Sequence, residues 1–125
     1  MVIKKNPRKK KKLKVGYLYI KCSLKNTIIT FKNNKNFLYQ TSSKASKLKH
    51  KRKNNAFIIK KMSHYAANFI RKRRYYYLLI HLKGVGPGRF NALKSFSKKK
   101  FQTLIFQEKT ATPFNGCKKR KIRRK

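Results

Sequence analysis

The chain has 125 residues, room for one compact domain, and carries 38 Lys plus Arg against a single acid, Glu108, for a formal charge of +37. One carboxylate cannot neutralise that charge from within. The counter-charge must come from outside, and a nucleic-acid backbone is the densest source. No stretch approaches the ~20 apolar residues of a membrane span, the cations do not gather on one face of a long amphipathic helix, and 39% hydrophobic residues are too many for a disordered basic tail.

Residues 1–14 read as a basic arm around Lys9-Lys10-Lys11-Lys12. From Val15 the pattern changes. Gly16 to Leu24 predicts a strand with Leu18, Ile20, Cys22 and Leu24 on one face and Tyr17, Tyr19 and Lys21 on the other. Lys25-Asn26 reads as a two-residue turn into a second strand, Thr27 to Phe31, which makes an antiparallel hairpin. A turn at Asn33-Asn34-Lys35-Asn36 leads to a third, shorter strand, Phe37 to Thr41. Ser42 to Asn55 is a polar loop dense in Lys44, Lys47, Lys49, Lys51, Arg52 and Lys53.

Ala56 to Arg74 predicts a helix, with Asn54 or Asn55 as its cap. Ile59, Met62, Ala66, Phe69 and Ile70 fall at helical spacing and form its buried stripe. Arg71 to Arg74 lie at its C-terminal end, where cations suit the helix dipole. Tyr75 to Leu82 is a continuous apolar run, as expected of a central strand. The loop Lys83-Gly84-Val85-Gly86-Pro87-Gly88-Arg89 follows, then a helix from about Arg89 to Ser97 and a last strand, Phe101 to Phe106. Thr110 to Lys125 turns basic again. Strand, strand, strand, helix, strand, helix, strand is an α/β order matching the ribonuclease H-like topology: one domain, a mixed five-stranded sheet and two helices able to cover both faces. The divisions are a basic arm at 1–14, the α/β domain at 15–110 and a basic tail at 111–125.

The glycine loop follows a strand and precedes a helix, a setting that attracts anions. Gly88 is followed by Arg89-Phe90 and not by Lys-Ser/Thr, so it is not a Walker motif, and no acid downstream could hold a ribose. An RNA-backbone cradle flanked by Lys83 and Arg89 fits better. A ribonuclease H-like nuclease needs several carboxylates around two divalent metals, and one is present. No acid is available to orient a His in a Ser or Cys triad. Cys22 and Cys117 lack a CxxC context, and His50, His64 and His81 are scattered, so two free thiols are expected and no metal site. No catalytic residue, cofactor or small-molecule substrate is expected.

Three segments, in order, resemble a known family. The hairpin Ser23-Leu24-Lys25-Asn26-Thr27-Ile28-Ile29-Thr30, the loop Lys83 to Arg89 and the tail Thr112-Pro113-Phe114-Asn115-Gly116-Cys117 with its basic continuation are similar to those of the small-subunit ribosomal protein family eleven. The resemblance covers about residues 15 to 125. Val85 replaces the family's first loop proline, residues 43–53 lack the glycines usual there, and the tail lacks a second Pro and a His before Asn115. The resemblance implies a protein that binds rRNA on the platform of the small subunit near the tRNA exit site, beside other platform proteins and the mRNA path. Residues and resemblance together nominate Lys25 and Asn26 at the hairpin tip, and Lys44, Lys47, Lys49, Arg52 and Lys53 on phosphates. They add Lys83, Gly84, Gly86, Gly88 and Arg89 as a backbone cradle, and Asn115, Gly116, Lys118, Lys119, Arg120, Arg123 and Arg124 as an anchoring tail.

Lys far exceeds Arg, Asn, Ile, Phe and Tyr are abundant, and Trp is absent. Such usage follows AT-rich codons, so the expected setting is the ribosome of an AT-rich organelle, plastid-type or mitochondrial, with the cytoplasm of a reduced bacterium as the alternative. Residues 1–8 lack transit-peptide character, which fits synthesis inside the organelle and equally a presequence already removed. The competing function is a histone-like DNA-compacting protein, which shares the charge and the lack of catalytic acids. It would bind duplex DNA at least as well as structured RNA.

Overall fold

The computed structural model describes residues 14–44, 54–98 and 101–124. Its elements are β1 (Val15–Cys22), β2 (Thr27–Lys32), β3 (Phe37–Ser42), α1 (Ala56–Lys72), β4 (Tyr77–Lys83), α2 (Gly88–Ser97) and β5 (Gln102–Glu108). They form one mixed sheet in the order β3-β2-β1-β4-β5, the α/β architecture expected. The first three strands meander antiparallel, and β4 and β5 add in parallel through the two helices.

Strand alternation decides which face is buried. Leu18, Ile20 and Cys22 of β1, Ile29 and Phe31 of β2, and Leu78, Ile80 and Leu82 of β4 all point into one core. Fully burying each large apolar side chain contributes about 1.5–3 kcal/mol. Both helices cover this same face, α1 through Ile59, Met62, Ala66, Ala67 and Ile70, α2 through Ala92 and Phe96. The expectation of helices on both faces is therefore corrected. Crossovers between parallel strands are right-handed, and both step across the sheet in the same direction, so both land on one side. The small residues Ser63, Ala66 and Ala67 are buried along α1. The Ser63 hydroxyl donates back to the Ile59 carbonyl at 2.7 Å, so its burial leaves no orphan.

Several predicted boundaries move. β1 ends at Cys22, and Leu24, expected on one strand face with Leu18, Ile20 and Cys22, is 80% exposed in the turn. The turn spans Ser23–Asn26 rather than two residues: Ser23 N–H donates to the Asn26 carbonyl, and the Ser23 hydroxyl donates to the same oxygen. Helix α1 stops at Lys72 because Arg74 takes a left-handed φ of 63°. Tyr75 N–H then reaches the Ile70 carbonyl and Arg74 N–H the Arg71 carbonyl, a Schellman closure built without glycine. Tyr75 is buried edge-on against Phe31 instead of opening β4. Phe69 is only half-buried and stacks on Tyr39 of β3 at 4.7 Å. Neither candidate caps α1: Asn55 occupies the N-cap position with no side-chain bond, and Asn54 is used elsewhere. β4 does lie inside the sheet, but β1 is its middle strand.

Candidate nucleic-acid interface

Every parallel strand of an α/β sheet delivers its outgoing loop to the same end, which is where ligands of such folds bind. In this chain that end gathers the hairpin turn Ser23–Asn26, the start and finish of the loop after β3, the glycine loop and the start of the tail after β5. The nominated segments, distant in sequence, converge. Lys25, Lys44 and Lys83 are exposed there. Lys47, Lys49, Arg52 and Lys53, like most of the N-terminal arm, lie outside the described residues.

A network of short polar bonds braces this end. Asn54 is its hub. Its Oδ1 accepts from the buried Thr27 hydroxyl at 2.9 Å, and its Nδ2 donates to the carbonyls of Ser23 and Leu24 at 3.2 and 3.0 Å. Asn26 Oδ1 accepts from the Ser43 hydroxyl at 2.8 Å and from Lys44 N–H at 3.2 Å. Ser43 Oγ also accepts from Thr27 N–H at 3.1 Å. So the Asn26 side-chain oxygen, nominated at the hairpin tip, ties the hairpin to the next loop. It presents Lys25 and Lys44 rather than facing outward itself.

The glycines have an inward reason. Gly84 sits at φ 93°, and a Cβ there would collide with the Cys22 carbonyl. A Cβ on Gly86 would strike the Ser23 carbonyl. The missing side chains thus let the loop lie flat on the hairpin, whereas the glycine pattern by itself suggests close approach of a phosphate. Gly86 and Gly88 are buried.

Arg89 is likewise turned inward. Its Nη2 pairs with Glu108 Oε2 at 2.6 Å, and its Nη1 donates to the Gly84 carbonyl at 3.4 Å. The Thr110 hydroxyl donates to Glu108 Oε1 and accepts from Gly84 N–H at 3.2 Å. The chain's one side-chain carboxylate therefore clamps the glycine loop to the end of β5. The hydrogen bond from Arg89, with a second from Thr110, holds the Glu108 carboxyl below its ordinary range; the Glu108 carboxylate pushes the Arg89 guanidinium up. Sequence reasoning misses this role of Glu108. The signal is nonetheless there: Glu108 is the one acidic side chain in the sequence, so any side-chain ion pair within the domain must use it.

The tail leaves from this clamp. Residues 111–124 carry no regular structure and every one is exposed, including Phe114 at 99% and Ile122 at 94%. Asn115, Gly116, Lys118, Lys119, Arg120, Arg123 and Arg124 all lie on this exposed segment. Cys22 is free and buried, with burial raising its thiol pKa, and Cys117 is free and exposed.

The fold and its loop end define a basic α/β scaffold whose outward chemistry is positive charge. The chain belongs to the ribosomal protein S11 family, whose model matches residues 16–124. That family is one of structural, non-catalytic ribosomal proteins. The small ribosomal subunit protein uS11 of Lawsonia intracellularis (strain PHE/MN1-00) is 33% identical over 118 residues, covering 94% of this chain and 92% of its own length. Small ribosomal subunit proteins uS11c are similar too. That of Pleurastrum terricola is 35% identical over 123 residues, with 97% of this chain and 95% of its own covered. That of Euglena longa is 34% identical over 111 residues, with 88% and 99% covered.

Proposed function

We propose that this chain is a structural constituent of the small ribosomal subunit that binds platform rRNA near the tRNA exit site and supports translation. The observation that carries the reading is the convergence, at one end of the sheet, of the hairpin turn, the glycine loop and the root of the basic tail. Family membership supports it, as does a charge of +37 with one side-chain carboxylate already paired. The neighbours are other platform proteins, with the mRNA path nearby. The setting is the ribosome of an AT-rich organelle.

The nominated residues divide by role. Lys25, Lys44, Lys83 and the tail cations Lys118, Lys119, Arg120, Arg123 and Arg124 bind phosphates, Lys as point charges and Arg as forked donors. Lys47, Lys49, Arg52 and Lys53, outside the described residues, are assigned to phosphates by their charge alone. Asn26, Gly84, Gly86, Gly88 and Arg89 act by fixing the loops that carry those cations. Asn115, at a left-handed φ of 50°, and Gly116 belong to the anchoring tail and put a bend in it. The domain at 15–110 is the docked body, and the basic segments 1–14 and 111–125 add cations for rRNA on either side of it in sequence.

Hydroxyl-radical footprinting of small subunits assembled with and without the chain tests this. Protection concentrated in one rRNA region supports the reading. Replacing Lys25 and Lys83 by Gln lowers the salt slope of binding by about one for each phosphate no longer neutralised. Equal affinity for duplex DNA at the same salt would instead favour DNA compaction.

A further inference from the structure

The sheet has a second face that neither helix covers. Across it the strand registers set out rows of neighbours. One row runs Lys32, Tyr17, Leu79, Ile105; the next runs Thr30, Tyr19, His81, Gln107; the third places Lys21 beside Lys83. The middle row is aromatic and aligned. The rings of Tyr19 and His81 stack with centroids 4.8 Å apart and planes 14° from parallel, and Tyr17, from the first row, lies nearly parallel to the same His81 ring at 6.5 Å and 6°. Lys32 Nζ lies 5.7 Å from the Tyr19 centroid. Tyr19 is 38% exposed, and Lys21, Lys32 and Lys83 are exposed.

We propose that this face is a second RNA site, where an unstacked base of a single-stranded rRNA segment stacks on the Tyr19–His81 ladder and Lys21 and Lys83 hold the flanking phosphates. It rests on the reading of the chain as an RNA-binding protein. Three observations carry it. Lys21 and Lys83 are register neighbours, and like charges side by side on a sheet repel unless an anion joins them. Both lie at the loop end, so the aromatic rows are continuous with the hairpin turn and glycine loop. The ladder itself is the device by which sheets read single strands, aromatic rings projecting from a flat face between cations. A duplex hides its bases in its own stack and offers nothing to these rings.

His81 fits the role of a stacking ring. Burial, helped by Lys109, lowers its pKa, which favours the neutral form. Its Nδ1 is buried with no hydrogen-bond partner. The tautomer that leaves a bare lone pair there, and not a stranded N–H, puts the proton on Nε2, where it can donate to a base or sugar.

The test uses the full chain near physiological salt, with a single-stranded octaribonucleotide and an RNA duplex of equal phosphate number. Tyr19→Leu weakens the single strand by roughly 5- to 150-fold, the range for removal of one base stack. Tyr19→Phe, which keeps the ring, stays within about twofold of the original chain, because stacking needs the π-face and not the hydroxyl. Neither change alters duplex binding or the salt slope, since no charge is removed. Ultraviolet cross-linking of the unaltered chain to the octamer, mapped by mass spectrometry, places the link on Tyr17 or Tyr19, a readout that does not depend on any variant folding. The proposal is overturned if Tyr19→Leu binds the single strand as before or weakens the duplex equally. It is overturned too if cross-links fall only on the glycine loop and tail, which would leave the ribosomal reading standing. A photo-cross-linker at residue 19 that captures protein and not rRNA in intact subunits overturns it as well, and assigns the face to a protein neighbour. Failure to bind either RNA overturns both readings.

Discussion

Truncating Asn54 to Ala isolates the brace at the loop end. Four hydrogen bonds vanish at once, although the Ser43 hydroxyl keeps Asn26 Oδ1 as its shorter acceptor and so adds little to the cost. The Thr27 hydroxyl is fully buried, so removing its acceptor costs about 1–3 kcal/mol. The Ser23 and Leu24 carbonyls sit in an exposed turn where water replaces the amide, so each adds about 0.5 kcal/mol, at the low end for a net hydrogen bond. The expected destabilisation is about 2–4 kcal/mol, a large part of a typical 5–15 kcal/mol stability. With a urea slope of about 2 kcal/mol per molar, the midpoint falls by roughly 1–2 M at unchanged slope. The matched control is Asn55→Ala. Asn55 holds the N-cap position without a side-chain cap bond, so its truncation stays within about 0.5 kcal/mol. If Asn55→Ala costs as much as Asn54→Ala, helix capping outweighs the tertiary brace and the reasoning is wrong.

Gly84→Ala meets both a φ of 93° and the Cys22 carbonyl; the backbone strain alone costs about 1–3 kcal/mol, read by thermal melting, whereas Gly116→Ala, with no atom within 4 Å, leaves the melt unchanged. Glu108 has a depressed pKa in the folded chain, so its contribution is full above the unfolded value near 4.5 and is lost as pH falls through the folded value. Stability followed below pH 5 should therefore drop in the unaltered chain and stay flatter in Glu108→Gln; identical curves would show that the clamp contributes nothing. Iodoacetamide should label the exposed Cys117 at once and the buried Cys22 only on unfolding, and equal rates in the native chain would contradict the packing of β1.

The elements legible in the sequence are those set by local period. Leu18, Ile20 and Cys22 alternate, and the Ile59–Ile70 stripe recurs at helical spacing, because side-chain direction depends only on the residue's own segment. Leu24 keeps the alternation although the chain has already turned, since Ser23 bends it through a hydroxyl bond and no Gly or Pro marks the place. The purpose of Asn54 is hidden because its partners lie 11 to 31 residues away. The glycine loop is visible as a loop, but its reason for being glycine lies in the Cys22 and Ser23 carbonyls, some 60 positions earlier. Placement of both helices on one face follows from crossover handedness and was open to derivation. The cationic segments of the site are legible from charge alone; the internal uses of Asn26 and Arg89 require the fold.

The central claim is that this chain works as part of a small ribosomal subunit. Native extract sedimented through a sucrose gradient at low and then high salt, with the chain followed by mass spectrometry, tests it most directly. The chain is expected to travel with the small subunit and survive a moderate salt wash, and the rRNA of that fraction then identifies the compartment. Recovery with DNA, or at the top of the gradient, would contradict it.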